Sequence, residues 1–135
     1  MSIQVGDEAR LTKVIRDGDV MDFAYLTGDV NPVHLDDDFA KKTRFGKRIA
    51  HGMMPASMVS AVLGTKLPGP GTIYLSQTLQ FVGPVYINDT ITATVRVIKI
   101  REDKPILTLE TICVNQEGQL ILKGEAVVLY EKSME

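Results

Sequence analysis

The chain holds only two histidines, His34 and His51, and each stands beside groups with which an imidazole can do chemistry. His34 closes the run Asp29-Val30-Asn31-Pro32-Val33-His34, so a carboxylate and an imidazole lie five residues apart on a segment stiffened by proline. The carboxylate can accept a proton and the imidazole can donate or accept one near neutral pH, so the pair could hold one water between them. A plainer reading is that Asp29 caps a turn, Asn31-Pro32 starts another, and His34 is exposed. His51-Gly52 directly precedes a long apolar segment. The free N–H groups of a helix start can bind a carbonyl oxygen that gains negative charge, and Pro55 suits the first turn of such a helix. Without chemistry, the same pair is a tight turn in which His51 packs or caps.

Other groups are weaker candidates. Lys41, Lys42, Arg44, Lys47 and Arg48 place five positive charges within eight residues. Such a run is usually a solvated face, but it could also hold the phosphates of a nucleotide-bearing substrate. No glycine-rich phosphate loop accompanies it. Cys113 falls mid-strand with no histidine near it in sequence, which points to core packing. There is no His-x-x-x-His or Cys-x-x-Cys spacing, and Asp36 to Asp38 lacks the glycine and glutamate of a calcium loop, so no metal is expected.

The elements that must position these groups follow from hydrophobic patterning. Glu8 to Ile15 alternates loosely and reads as a first strand. Asp17 or Asp19 can cap a short helix with apolar positions Val20, Phe23, Ala24 and Leu26, stopping at Gly28. Asp29 to Leu35 reads as a loop, in which Pro32 pushes Asn31 towards an extended conformation. Asp36, Asp37 and Asp38 suit the start of another helix, running to about Thr43. Met53 to Leu67 has no charge before Lys66 and is apolar nearly all round, which predicts a buried helix. Gly52, Ala56, Ser60 and Gly64 recur every four residues along it, a small-residue stripe that lets a sheet or a ligand come close.

Beyond Gly71, period two takes over. Ile73, Leu75, Leu79 and Phe81 are expected to share one face, and Ile91, Ala93, Val95 and Val97 another. Leu107, Leu109 and Thr111 continue the pattern, followed by Leu120, Leu122, Ala126 and Val128. Ile87-Asn88-Asp89, Glu102 to Pro105 and Asn115 to Gly118 are turn sequences. Four successive strands in an antiparallel meander, covered by the one buried helix, give an α+β domain: a long helix wrapped by a curved sheet.

Length and composition bound the function. At 135 residues, 44% hydrophobic and 24% charged, the chain reads as one domain spanning 1–135 with a core of its own. A net charge of −2 and the absence of tryptophan argue against nucleic acid as a partner. A single cysteine excludes an internal disulfide framework. The start of the chain lacks the basic and apolar regions of a secretory signal. The uncharged stretch Leu67 to Asn88 is broken by Pro68, Pro70 and Pro84, so no membrane span and a cytoplasmic location are expected.

Taken together, Asp29-x-Asn31-Pro32-x-His34 followed by Arg48-Ile49-Ala50-His51-Gly52-Met53 and an apolar helix resembles the MaoC-like, (R)-specific enoyl-CoA hydratases. The likeness continues through Leu67-Pro68-Gly69-Pro70-Gly71 and Phe81-Val82-Gly83-Pro84-Val85 to Arg101-Glu102-Asp103-Lys104-Pro105, and extends to the short hydratases of polyhydroxyalkanoate synthesis. One departure is Asn88-Asp89, where relatives often carry Gly-Asp; it bears on the turn, not on the chemistry.

The resemblance implies the hot-dog fold and a hydro-lyase activity: reversible syn addition of water to a trans-2-enoyl-CoA of short to medium chain, giving the (R)-3-hydroxyacyl-CoA. It makes Asp29 the general base and has His34 hold the same water and assist proton delivery to the α carbon. Asn31 would orient the loop, and the Gly52 N–H would meet the enolate-like thioester oxygen. Ser60, Leu63 and Val128 would line the acyl pocket. Neither metal nor redox cofactor is implied, because the thioester itself acidifies the α position. The expected partners are an acyl-CoA thioester and a second copy of the chain, with sites near the subunit boundary. Rival readings are a dehydratase acting on acyl carrier protein, a hot-dog thioesterase directing water at the carbonyl, and a non-catalytic acyl-thioester-binding subunit.

Overall fold

A helix at the centre and a sheet bent around it organise the chain. The computed structural model describes residues 2–131; the ends of the 1–135 span, Met1 and 132–135, lie outside the described residues. In chain order the elements are β1 (Glu8–Val14), α1 (Asp17–Thr27), α2 (Pro32–Leu35), α3 (Asp37–Lys41), α4 (Met53–Thr65), β2 (Ile73–Gln77), β3 (Gln80–Phe81), β4 (Thr90–Ile100), β5 (Ile106–Val114) and β6 (Leu120–Leu129). The six strands form one antiparallel sheet, ordered β1-β4-β5-β6-β2 with β3 also pairing β6, and the sheet does not close. This is the hot-dog fold. No helix among the described residues is long and apolar enough to cross a membrane.

Period two reads the concave face of β4 and β5 correctly. Ile91, Ala93, Val95 and Val97 are fully buried, as are Leu109, Thr111 and Cys113, with Leu107 almost so. They pack on Met54, Met58, Val59, Val62 and Leu63 of α4. Each Val, Leu, Ile or Met side chain among them contributes about 1.5–3 kcal/mol when taken from water, and this shared layer holds helix and sheet together. The Cys113 thiol donates to the Pro55 carbonyl at 3.4 Å, and burial pushes its pKa up to about 12, as befits a core residue.

Three strand expectations need correction. The first block after the helix does not join a meander: β4, β5 and β6 run consecutively, but β2 crosses to the far side and pairs with β6. Ile73, Leu75, Leu79 and Phe81 do not share a face. Ile73 lies opposite Leu129 and Phe81 opposite the buried Leu122, while the pairing of β2 slips between Tyr74 and Ser76, leaving Leu75 out of register. One extra residue reverses the parity of everything after it. A second slip between β5 and β6 sets Leu120 opposite Val114, on the other face from Leu122 and its partner Cys113.

The helices also refine the expectations. α4 stops at Thr65, and it is not buried all round: Met53, Ser57, Ser60 and Gly64 are exposed, because the sheet covers only one side of it. Asp29 to Leu35 is not simply a loop, since Pro32 starts the single turn α2. Asp19 rather than Asp17 closes the start of α1, accepting from the Arg16 N–H at 2.9 Å. In the turn before β4, Asn88 takes φ 76°, a left-handed conformation that asparagine tolerates best after glycine. Its N–H donates to the Ile15 carbonyl at 2.6 Å, so the departure to Asn88-Asp89 keeps the turn.

Candidate active site

The segment from Gly28 to His34 is a series of short hydrogen-bonded turns. α1 ends where Gly28, at φ 79°, returns its N–H to the Ala24 carbonyl at 2.9 Å. Asp29 follows at once, and its carboxylate accepts from the Asn31 N–H at 3.2 Å. The Asn31 side chain in turn accepts from the Val33 N–H at 3.1 Å, capping α2, and Pro32 occupies the first helical position, where its missing N–H costs nothing. This is why Asp-x-Asn-Pro-x-His holds a shape: each side chain satisfies a backbone donor two residues on. The result leaves the Asp29 residue exposed and turns His34 inward, to 7% exposure.

The orientation of His34 follows from its bonds. Nδ1 lies 2.7 Å from the Ile49 carbonyl, which can only accept, so the neutral ring carries its proton on Nδ1 and leaves a lone pair on Nε2. Burial holds the His34 pKa below the usual imidazole value; the bond to Ile49 opposes this, the neighbouring His51 adds to it, and Asp29 opposes it. Arg48 donates from Nε to the His34 carbonyl at 2.7 Å and from Nη2 to Asp17 at the start of α1, also at 2.7 Å.

His51 is 2% exposed and touches both groups of the motif. Its Nε2–H donates to the backbone carbonyl of Asp29 at 2.9 Å, and its ring stacks on His34 with centroids 3.9 Å apart and planes 29° from parallel. The spacing of residues leaves its role open, and nothing in the positive run distinguishes Arg48 from its neighbours. Both act through contacts with residues 14 to 22 positions away, which local pattern does not carry.

One ligand-type atom from each of Asp29, His34 and His51 lies within 4.8 Å of the others. That separation suits two hydrogen bonds of about 2.8 Å to a single water between Asp29 and His34. It suits a metal poorly. Two rings stacked 3.9 Å apart and 29° from parallel hold their lone pairs in nearly parallel planes, whereas a zinc ion needs nitrogens converging on one point at about 2.0–2.1 Å.

Gly52 stands at the start of α4, and its N–H has no protein acceptor among the described residues. The Phe81 ring lies so close that a Cβ on Gly52 would sit 3.2 Å from it. A cleft of about 260 Å³ joins His34, His51 and Gly52 to Arg44, Phe45 and Phe81. A second groove, of about 390 Å³ between α4 and β2, is lined by Met53, Ser60, Tyr74 and Leu75. Leu63 and Val128 are buried in the core and do not line that groove. The positive run divides: Lys41, Lys42, Arg44 and Lys47 are exposed, while Arg48 is drawn into the structure. Arg44 lies over the Phe45 ring at 5.0 Å and Lys47 over the Tyr86 ring at 4.6 Å.

A curved sheet around a helix whose start stands beside His34 defines the fold class, a small hot-dog domain. Comparison narrows it: residues 3–115 match the MaoC like domain, and the chain belongs to that family. It is 47% identical over 127 residues to the (R)-specific enoyl-CoA hydratase of Rhodospirillum rubrum, covering 94% of this chain and 88% of that protein. It is 50% identical over 127 residues to the (R)-specific enoyl-CoA hydratase of Aeromonas caviae, covering 94% of this chain and 95% of that one. The solved (R)-hydratase from A. caviae involved in PHA biosynthesis superposes with a TM-score of 0.94 at 49% identity, covering 96% of this chain and 98% of that chain.

Proposed function

We propose that the protein is an (R)-specific enoyl-CoA hydratase, adding water reversibly and syn to short- and medium-chain trans-2-enoyl-CoA. The observation that carries this reading is the spacing of the Asp29 carboxylate and the His34 imidazole, within 4.8 Å, where His34 lines a cleft that also holds the unpaired Gly52 N–H. The likeness to two proteins named for that activity supports it.

A water held by both side chains donates one O–H to Asp29 and the other to His34 Nε2. As its oxygen bonds to C3, Asp29 draws off one proton and the π electrons move to C2 and onto the thioester oxygen. The Gly52 N–H meets that charge at the helix start, a donor already in place before the reaction. The proton is passed by way of His34 Nε2 to C2 on the same face. Water has then lost one proton, C2 has gained one, and both side chains are as they began.

In this reading Asn31 holds the loop through its cap on α2, and Ser60 meets the acyl chain in the groove beside β2. Arg44, exposed at the cleft, and Lys47, exposed three residues on, have no carboxylate partner among the described residues and would take the phosphates of CoA. The protein acts as a homodimer: Ile73, Tyr74 and Leu75 on the edge strand β2 are exposed, an apolar edge that a second copy would cover.

The test is loss of the enoyl-thioester absorbance of crotonyl-CoA without release of thiol, with chiral analysis of the product. Loss without thiol and an (R) product supports the hydratase. Thiol release identifies a thioesterase, turnover only of an acyl-carrier-protein thioester identifies the carrier-linked dehydratase, and no turnover of either leaves a binding subunit.

A further inference from the structure

We infer that His51 is a positioning residue that locks the two proton-handling groups, Asp29 and His34, into one unit. The inference rests on the hydratase reading for its chemistry and on His51's own contacts for its geometry. Nε2–H of His51 holds the Asp29 carbonyl at 2.9 Å, the face of its ring covers His34 at 3.9 Å, and Phe23 packs against it at 4.9 Å. Asn31 also bonds both Asp29 and His34, donating its N–H to the Asp29 carboxylate and accepting the His34 N–H on its carbonyl, but it lies within the loop itself, whereas His51 reaches both from the start of α4. Among the described residues, Asp29 is otherwise held by hydrogen bonds within its own turn, to Thr27 and Asn31.

His51 leaves one of its own atoms unsatisfied, and that marks a specific role. Nδ1 is buried without a hydrogen-bond partner, alone in this among the described residues. The Asp29 carbonyl can only accept, so the proton sits on Nε2 and Nδ1 is a bare lone pair. A phenylalanine would fill the same space against Phe23 and His34 with no orphaned nitrogen. What histidine adds over phenylalanine is the single N–H on Asp29, and the unpaired Nδ1 comes with it.

Each catalytic group is thereby restrained twice. His34 is fixed at its edge by the Ile49 carbonyl and across its face by His51, which leaves its Nε2 lone pair one direction to point. Asp29 is fixed at its carbonyl by His51 and at its carboxylate by the Asn31 N–H. The ring of His51 therefore carries the distance between them. Charged and titratable groups facing His34 are Asp29, His51, and Arg48 through the backbone; Arg44 shares the cleft.

Two variants separate the N–H from the ring. His51→Gln keeps an N–H at similar reach and loses the stack; His51→Phe keeps the stack and loses the N–H. Both are compared with wild type by kcat and KM on crotonyl-CoA, by the His34 imidazole titration followed by NMR, and by circular dichroism. Misplacing reacting groups by an ångström costs about a hundredfold, so H51F should lose about that in kcat with KM nearly unchanged, and H51Q should lose clearly less. In H51Q the uncovered His34 should titrate at higher pH than in wild type. Equal kcat for the two variants, or a loss confined to KM, would overturn the inference. Should H51F not fold, the H51Q titration decides: an unmoved His34 contradicts it. Wild type that folds but hydrates nothing sinks the proposed activity alone, because the NMR shift still reads the contact between the two rings.

Discussion

Arg48 ties His34 to the start of another helix: Nε donates to the His34 carbonyl and Nη2 to the Asp17 carboxylate, each at 2.7 Å, with Asp37 4.0 Å from Nη1. The guanidinium is mostly covered while both carboxylates are exposed, so screening discounts the ion pairs and the bond to the carbonyl matters most. Arg48→Met leaves that carbonyl unpaired and should cost about 1–3 kcal/mol of stability. Arg48→Lys, a single point donor in place of a fork, should recover only part of it. Urea denaturation of the three proteins checks the order.

The lowered pKa of His34 sets a pH dependence. Burial is its main cause, and the folded site therefore gives up its proton more readily than the unfolded chain, whose imidazole titrates near 6.5. Between that value and the lower folded one, the unfolded chain binds more protons, so stability rises with pH across the window. The contribution is complete above 6.5 and is lost as pH falls below it. Because the mechanism needs the Nε2 lone pair, the acid limb of kcat/KM should also fall below 6.5. His34→Gln should flatten the stability difference; a limb above 6.5 would contradict the assignment.

Gly124 is required by contact, not by backbone conformation. A Cβ there would collide with the Thr78 carbonyl, and Thr78 holds β6 by donating its N–H to the Glu125 carbonyl and accepting the Glu125 N–H on its hydroxyl, both at 2.9 Å. Gly124→Ala must push this backbone away, a form of overpacking that typically costs about 1–3 kcal/mol. Thermal denaturation should show the drop, and Gly64→Ala, on an open stretch of α4, should not.

Cys113 should be inert in the native protein. Its pKa of about 12 leaves almost no thiolate at neutral pH, and the side chain is fully buried. A thiol reagent should label it at the rate of unfolding, with full labelling in denaturant.

Much of the frame is legible in the chain because it is periodic. The alternation through Ile91, Ala93, Val95 and Val97 names the buried face of β4, and Asp29-x-Asn31-Pro32-x-His34 names its own turns, since every cap reaches only two residues on. What periodicity cannot tell is which strand lies beside which, so the crossing of β2 to β6 was not legible. Nor does it anticipate an unpaired Leu75, which turns Phe81 to the opposite face from Ile73. The links from His51 to Asp29 and from Arg48 to His34 depend on tertiary packing, and neither residue type announces such a bond.

The central claim is that Asp29 and His34 act together on one water. It is tested most directly by the rate of crotonyl-CoA hydration in wild type, Asp29→Asn and His34→Ala, with the folds compared by circular dichroism. Loss of a positioned acid or base costs about 10²–10⁴-fold, and each folded variant should fall by that order while wild type yields the (R) product. A folded Asp29→Asn or His34→Ala variant that hydrates at the wild-type rate would contradict it.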